Sequence, residues 1–251
     1  MSHHIVEVKG LEYFYPDGTP ALRGIDFRIT HGESVAIVGA NGAGKSTLLL
    51  HLNGYLVPRT GVVRVGDMPL NKKTLSHVRQ TVGMVFQDPD DQLFLPRVYD
   101  DVAFGPLNLG LPPEEVEARV VDALSVVGAS HLRDRPPYRL SGGEKRAVAI
   151  ATVLSMAPNI LVMDEPTSNL DPKARRKLIN LLGRFEHTKI IATHDLDMAF
   201  DLCGRTIILK DGAVAADGPT RELLQDEKLL DSSGLEKPLG LQGCPVCHPR
   251  R

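Results

Sequence analysis

Residues Gly39–Ser46 read GANGAGKS, and this stretch decides the fold of the chain. It follows the apolar run Ser34–Val38 and opens the helical run Thr47–Asn53. A strand, a glycine-rich turn and a helix in this order form a phosphate-binding loop, or P-loop, whose backbone N–H groups converge on phosphate oxygens. In such a loop Lys45 reaches the β- and γ-phosphates, and the hydroxyl of Ser46 ligates Mg²⁺. The sequence therefore predicts a nucleotide-binding α/β fold.

The composition of the chain limits its class. Its 251 residues are enough for one large α/β domain or for a core with a subdomain. The formal net charge of -2 argues against a dedicated nucleic-acid binder, which needs a basic surface. The longest apolar run, Ala147–Ala157, is broken by Thr152 and Ser155, so the sequence predicts no membrane span. Its three cysteines and a start without a signal-like apolar region favour a reducing cytoplasm.

Apolar, β-rich runs alternate with helical patterns over much of the chain. Several runs are continuous, as in strands that are buried on both faces of a sheet. The clearest helix is Pro113–Val127, with acids in its first turn and Gly128 after it. The strand pattern is missing between Gln87 and Ala157, which predicts an inserted helical subdomain. The predicted strands are Ile5–Val8, Ser34–Val38, Val62–Val65, Val82–Phe86, Ile160–Met163, Lys189–Thr193 and Thr206–Leu209.

Polar side chains stand at the ends of three predicted strands. The apolar run Ile160–Glu165 ends in two acids, and ligands of open α/β sheets bind at that end of a strand. Asp164 suits a Mg²⁺ contact through water, and Glu165 suits a general base for an attacking water. His194 would lie near the γ-phosphate, and Gln87 would sense Mg²⁺ or the water. The alternatives are acids solvated at a strand tip, a structural histidine and a glutamine that caps a turn.

The stretch Leu140–Glu144, LSGGE, lies between the P-loop and the two acids and precedes a helical run. Its serine hydroxyl and exposed N–H groups could cradle an anion at the start of that helix. The chain would then carry two phosphate cradles, and the second has no obvious phosphate of its own.

The ordered motifs resemble those of the ATP-binding cassette (ABC) ATPases. The resemblance implies an α/β P-loop NTPase fold, with a RecA-like core, an antiparallel β subdomain and an inserted α-helical subdomain. It implies an ABC ATPase domain at 1–231, with the core at 1–87 and 158–231, the helical subdomain at 88–157 and a tail at 232–251. The cofactors would be ATP and Mg²⁺. The motifs, which span about Ile5 to Leu224, are the P-loop, Gln87, Leu140–Glu144, Asp164 and Glu165, Ser168–Asp171, and His194.

The same resemblance gives roles to individual residues. In that family the Ser-Gly-Gly stretch binds the γ-phosphate of ATP held by a second subunit, so Ser141–Gly143 would complete the site of a partner chain. Asp171 would lie in the loop that communicates across the interface. Tyr15 best matches an aromatic residue that stacks on adenine, with Tyr13 and Phe14 as rivals. The implied residues are Tyr15, Gly39, Asn41, Gly42, Gly44, Lys45, Ser46 and Thr47 for ATP; Ser46, Gln87 and Asp164 for Mg²⁺; Glu165, His194 and Gln87 for catalysis; and Ser141, Gly142, Gly143 and Glu144, where many members have Gln, for the partner's phosphate.

A narrower resemblance, carried by Tyr15–Gly18 and Gln87–Phe94, is to the ATPase subunits of energy-coupling factor (ECF) importers. These bring transition metals or vitamins into prokaryotic cells. The run Leu140–Leu154 and the tail look closest to the cobalt or nickel type. The resemblance implies a homodimer at the cytoplasmic face of the cell membrane, beneath a transmembrane scaffold and a membrane substrate-binding component, with no nucleic acid.

Several alternatives stay open at this point. A vitamin importer of the ECF class more often pairs two different ATPases, and importers of other classes use similar cassettes. A non-transport ABC ATPase acting on DNA or the ribosome, or a regulatory metal-binding module, belongs to another class. The apolar residues Leu93–Leu95 would grip the transmembrane partner or pack inside the helical subdomain.

The tail carries the motif C-x-x-C-H at Cys244–His248. This pattern can attach c-type haem or supply three ligands to Zn²⁺, and haem attachment would require an oxidising export route. The simplest alternative is a pair of thiols in a disordered tail. We expect Cys203 to be a core residue.

Overall fold

The computed structural model describes residues 4–242, and two sheets organise it. The larger has six strands in the order β10-β9-β3-β8-β7-β6. The five strands β9, β3, β8, β7 and β6 run parallel to one another, and the edge strand β10 pairs antiparallel with β9. The strands are β1 His4–Phe14, β2 Pro20–Thr30, β3 Ser34–Val38, β4 Thr60–Val65, β5 Met68–Pro69, β6 Val82–Val85, β7 Ile160–Asp164, β8 Thr188–Ala192, β9 Arg205–Lys210 and β10 Ala213–Pro219.

The smaller sheet is antiparallel, with four strands in the order β2-β1-β4-β5. It confirms the antiparallel β subdomain that the family resemblance implies. The sequence prediction missed β2 because this strand buries only alternate residues, while exposed polar residues such as Arg23 and Arg28 interrupt its apolar run. It missed β10 for a similar reason, since most of that strand is only partly buried.

Helices cover the large sheet and form the inserted subdomain. Within the described residues, α3, α4 and α5 lie between β6 and β7 with no strand among them, as the sequence predicts. The predicted helix at Pro113–Val127 ends one residue earlier, at Val126. The helices are α1 Lys45–Leu52, α2 Leu75–Thr81, α3 Val98–Asn108, α4 Pro113–Val126, α5 Gly142–Leu154, α6 Pro172–Gly183, α7 Leu196–Leu202, α8 Thr220–Leu223 and α9 Glu227–Ser232.

Two hydrophobic clusters lie on opposite faces of the large sheet. Strand β3 contributes to both, because successive side chains of a strand point to opposite faces. Val35 and Ile37 pack with α1 and the antiparallel sheet, whereas Ala36 and Val38 pack with the helical subdomain. Parallel pairing of β3, β8, β7 and β6 brings their carboxyl ends to one edge of the sheet. The loops that follow these strands therefore meet there.

After α9 the chain returns towards that edge. Leu235 is buried in the core cluster, and a single 3-10 turn forms at Leu239–Leu241. The backbone N–H groups of Leu239 and Gly240 donate to the carboxylate of Asp197, at 3.1 and 2.8 Å. The Cys244–His248 motif lies outside the described residues. In the part of the chain that is described, no helix is long and apolar enough to cross a bilayer.

Candidate active site

The P-loop joins the carboxyl end of β3 to the first turn of α1. Gly44 precedes α1 with a φ of 99°, and a Cβ there would lie 2.6 Å from the carbonyl oxygen of Ala21. Only glycine fits this position without strain. No side chain among residues 4–242 caps α1, so its first N–H groups remain free. An uncapped helix N-terminus of this kind favours an anion.

Lys45 is buried within this loop, with 7% of its surface exposed. Its Nζ donates to the carbonyl oxygens of Gly39, at 2.8 Å, and Ala40, at 3.2 Å. The same nitrogen lies 3.9 Å from Oε1 of Glu165. The structure therefore brings the predicted lysine and the predicted general base to the same side of the loop.

Asp164 ends β7 and is almost fully buried. Burial raises the pKa of its carboxyl group, while a hydrogen bond with Ser46 and the charge of Lys45 lower it. Its Oδ1 has no hydrogen-bond partner in the described chain. A buried carboxylate oxygen without a partner, beside a serine hydroxyl, is a donor set that fits a hard cation such as Mg²⁺. The residues present thus fit the predicted metal, and among the described residues no group of three or more His, Cys, Asp and Glu forms another metal cluster.

Glu165 follows directly and has a left-handed backbone, with a φ of 45°. Its N–H donates to the carbonyl of Ala192 at 2.8 Å, and its buried carboxylate accepts from His194 twice. The backbone N–H of His194 lies 3.2 Å from Oε2, and the ring Nδ1 lies 2.7 Å from it. Left-handed backbone in a non-glycine residue is strained and is common in active sites. Ala192, at the end of β8, and His194, just after it, therefore hold Glu165 in a fixed position.

Gln87 is exposed two residues beyond β6, whose Val85 pairs with Met163 of β7. The parallel register places it at the same sheet edge as Glu165. The backbone around it is tied to α5, because the buried guanidinium of Arg146 donates to the carbonyls of Phe86 and Gln87 at 2.7 and 2.6 Å. Burial lowers the pKa of Arg146, and the charges of two nearby aspartates raise it.

Gln92 makes a second tie between the same loop and α5. Its Oε1 accepts from the N–H of Phe86, and its Nε2 donates to Ala149 and Thr152 at 2.8 and 2.6 Å. The sequence interpretation missed both Arg146 and Gln92. Arg146 directly precedes the apolar run of α5 and follows two other charged residues, so the sequence offered no clear signal for its burial.

The second predicted cradle lies at the exposed start of α5. Ser141 precedes this helix and forms a capping box with Glu144. Oε2 of Glu144 accepts from both the N–H and the hydroxyl of Ser141, each at 2.8 Å. The backbone N–H of Ser141 lowers the pKa of Glu144, and so does its hydroxyl. No hydrogen bond or ion pair joins this stretch to Gly39–Ser46 within residues 4–242.

The three aromatic residues proposed for adenine stacking differ in burial and in their contacts. Tyr13 packs against the core, edge-on to Tyr15 and to His51. Tyr15 is 39% exposed, and its hydroxyl lies 2.8 Å from that of Thr47 on α1. Phe14 is 56% exposed. Tyr13 is therefore the core residue, and Tyr15 is the one that contacts the P-loop helix.

Asp171 caps α6 by accepting from the N–H groups of Lys173 and Ala174 at 2.8 and 2.9 Å. The loop before it is anchored by Asp195, which accepts from the hydroxyl of Thr167 and from Nε and Nη2 of Arg175. This anchor was not predicted from the sequence.

A cleft of about 550 Å³ lies between the P-loop and the segment Gly234–Gln242. It is lined by Gly39–Asn41, His194–Asp197, Gly234–Leu239 and Gln242.

Known proteins are similar in sequence to this chain over most of its length. The family model described as ABC transporter matches residues 22–168. A protein of Geobacter sulfurreducens named as an ABC transporter ATP-binding protein is 70% identical over 98% of this chain and 99% of its own length. The energy-coupling factor transporter ATP-binding protein EcfA of Methanocaldococcus jannaschii is 48% identical over 94% of this chain and 86% of its own length.

Two solved structures are similar over most of the chain. CbiO1 of Clostridium perfringens, described as part of the ABC transporter complex CbiONQ, has a TM-score of 0.81 and 41% identity, covering 92% of this chain and 94% of its own. The cassette MJ0796, a dimer bound to ADP and phosphate after hydrolysis, has a TM-score of 0.78 and 29% identity, covering 86% and 99%. The resemblance stated from the motifs is therefore confirmed. This chain belongs to the ABC transporter ATPases, which couple ATP hydrolysis to transport.

Proposed function

We propose that this chain is the ATPase subunit of an ECF-type importer of a transition metal ion, cobalt or nickel. It works as a homodimer at the cytoplasmic face of the cell membrane, on a transmembrane scaffold and a membrane substrate-binding component. The observation that carries the proposal is the divided site: the P-loop, Glu165 and His194 lie together, whereas the cradle Ser141–Gly143 is exposed elsewhere. The similarity to EcfA supports the ECF type, and the similarity to CbiO1 supports assembly into a transporter complex. The metal cargo rests on the likeness of Leu140–Leu154 to the cobalt or nickel type.

Each chain would bind one ATP at its P-loop. The N–H groups at the start of α1 and the ammonium of Lys45 offset the phosphate charge, and Tyr15 stacks on adenine. Mg²⁺, held by Ser46, Gln87 and, through water, Asp164, would add further charge compensation at the β- and γ-phosphates. To reach the phosphates, the ammonium of Lys45 would turn away from the two loop carbonyls that it contacts in this structure.

Glu165 would accept the proton of the attacking water. His194 has two roles that compete for one proton. A neutral imidazole carries a single N–H, so when Nδ1 donates to Glu165 the other nitrogen can only accept. Donation to both the carboxylate and a γ-phosphate requires the imidazolium.

Two copies complete each other's sites. The N–H groups of Gly142 and Gly143 and the hydroxyl of Ser141 would bind the γ-phosphate held by the partner's P-loop, and Asp171 would lie at the interface. ATP favours the closed dimer because only that form contacts the nucleotide from both sides. Hydrolysis removes the bridging phosphate and the dimer reopens. The ties through Arg146 and Gln92 would carry this motion between the Gln87 loop and α5.

The helical subdomain carries an exposed aromatic pair suited to the membrane partner. Phe94 and Phe104 are 62% and 46% exposed and meet edge to face, with ring centroids 5.3 Å apart. Leu107 is also exposed, whereas Leu93 is buried. Leu93 would then pack inside the subdomain while Phe94 contacts the membrane partner. A contiguous exposed apolar patch, unlike a single exposed residue, marks an interaction site.

The cargo is tested by uptake. Cells that carry the chain with its neighbouring membrane proteins should accumulate radiolabelled Co²⁺ or Ni²⁺, and Lys45→Ala should abolish accumulation. Metal uptake that does not depend on Lys45, together with uptake of a vitamin that does, would contradict the metal cargo. Because the ATPase need not touch the cargo, its own residues do not distinguish a metal importer from a vitamin importer. This experiment distinguishes the two.

The membrane partner is tested by copurification with an N-terminally tagged chain. The double variant Phe94→Ser/Phe104→Ser should lose the transmembrane scaffold while its isolated ATPase activity persists. Val121→Ser, a matched change of an exposed apolar residue on α4, should retain the scaffold. Equal recovery of the scaffold by both variants would exclude the aromatic pair as the contact.

A further inference from the structure

The hydroxyl of Ser141 is already engaged in the single chain. It has one proton, and the geometry directs it to Oε2 of Glu144 at 2.8 Å. The backbone N–H of Ser141 donates to the same oxygen. The hydroxyl oxygen in turn accepts weakly from the N–H of Glu144, at 3.4 Å. Both polar hydrogens of Ser141 therefore point at a carboxylate of the same chain.

This carboxylate occupies an anion position. It lies at the N-terminus of α5, where the helix dipole and free N–H groups favour negative charge. The lowered pKa of Glu144 means that it is charged at neutral pH. A partner's γ-phosphate is also an anion, and it would use the same serine hydroxyl. The two anions cannot both accept the one hydroxyl proton, and at close range their charges repel.

We propose that Glu144 sets the ATP concentration at which the dimer closes, because its carboxylate must leave Ser141 before the partner's phosphate can bind. The inference rests on the proposed nucleotide-sandwich dimer. In it Glu144 is an affinity-determining residue of the shared site. It acts against closure, and a neutral residue of the same shape removes that opposition.

A purely structural role of Glu144 predicts the opposite change in the ATP requirement for dimerisation when the cap is weakened. If Glu144 served only to cap α5, weakening the cap would loosen the cradle and raise the ATP requirement. Glutamine separates the two roles, since its side-chain oxygen can still accept from Ser141 and complete a capping box. Glu144→Gln thus keeps the cap and removes the charge. Glu114→Gln removes an equivalent charge from the first turn of α4 and provides the matched control.

The test measures ATP-driven dimerisation of the full chain by size-exclusion chromatography with light scattering, in a Glu165→Gln background that blocks turnover. Glu144→Gln should lower the ATP concentration for half-maximal dimer about fivefold, the scale of a helix-terminal charge interaction acting at both sites of the dimer. Glu114→Gln should leave that concentration unchanged. Binding of a fluorescent ATP analogue to the monomer should be equal in all variants.

The outcomes separate the inference from the function on which it rests. An unchanged or higher ATP requirement in Glu144→Gln, with dimers still forming, would overturn the inference and leave the sandwich dimer intact. Monomers that bind ATP yet never dimerise, in any variant, would overturn both.

Discussion

Two helices of this molecule begin at the stretches that we propose as phosphate cradles, and their N-termini differ. Helix α1 starts after Gly44, has no side-chain cap within the described chain and leaves its N–H groups open. Helix α5 starts after Ser141, which forms a reciprocal capping box with Glu144. At the first start Lys45 is buried while Ser46 is exposed, whereas Ser141 and Gly142 are both exposed at the second. In the cycle that we propose, the chain's own phosphate meets an open helix N-terminus at α1, whereas a partner's phosphate must displace Glu144 from Ser141 at α5.

This difference orders the events that we propose. ATP can bind to α1 without any rearrangement at α5, so nucleotide binding to the monomer comes first. Closure comes second, since it needs both a phosphate and the release of the capping box. Each prediction below tests one side of this contrast, from the largest expected effect to the smallest.

Glu165→Gln should lower turnover about a thousandfold, because a general base contributes about 10²–10⁴-fold and amide nitrogen cannot accept the proton. ATP binding should persist, and a stable dimer should accumulate. Steady-state phosphate release and light scattering measure the two effects. Turnover within a few-fold of the parent would remove Glu165 from this role.

Gly44→Ala and Gly142→Ala compare the two cradles directly. At Gly44 the new Cβ meets Ala21 in a left-handed backbone, so we expect a loss of about 3 kcal/mol in the free energy of unfolding. At Gly142 the Cβ meets nothing within 4 Å, so stability should change by less than about 0.5 kcal/mol. Urea denaturation measures both. A similar loss in the two variants would contradict the contrast.

Ser141→Ala should reduce the free energy of unfolding by about 1 kcal/mol through loss of the cap. Its hydrolysis should fall about tenfold, because one donor to the partner's phosphate disappears, a change of about 1.4 kcal/mol. Monomer affinity for ATP should stay the same. Titration with a fluorescent ATP analogue checks the last point, and weaker monomer binding would place Ser141 in the wrong site.

Tyr15→Phe should have the smallest effect. It removes the contact between the hydroxyls of Tyr15 and Thr47 but keeps the ring, so the dissociation constant for ATP should rise about twofold to threefold. Tyr15→Leu should weaken binding further, and Phe14→Leu should not. Calorimetric titration of the three variants measures this. A larger loss in Phe14→Leu would assign adenine stacking to Phe14.

The buried part of the fold was readable from the sequence because it follows simple rules. Strands such as Ser34–Val38 are buried on both faces and appear as continuous apolar runs. Strand β2 was missed because it buries mainly alternate residues, so its apolar residues do not form a continuous run. Long-range ties such as Arg146 to Gln87 were also missed, because 59 residues separate the partners and no local pattern links them.

The candidate site shows the same division. The P-loop and the acids of β7 were predicted because each motif is contiguous in the chain. The anchor of Arg175 to Asp195 joins two elements, α6 and the start of α7, and becomes visible only when they pack. At Ser141 the local sequence pattern fits two different structures. Ser-x-x-Glu is a capping-box pattern as well as part of an anion cradle, and only the structure shows that the cap is formed.

The path of the chain after α9 has a practical consequence for anyone who handles this protein. Gln242 and Gly234–Leu239 line the cleft beside Gly39–Asn41, and two N–H groups join this segment to Asp197. A bulky group attached at Gln242 would therefore lie at the rim of that cleft. Strand β1, by contrast, starts opposite Thr30, just before the amino end of β3 and so at the far edge of the sheet from the P-loop. Affinity tags, fluorophores and surface tethers belong at that end, where the cleft stays clear.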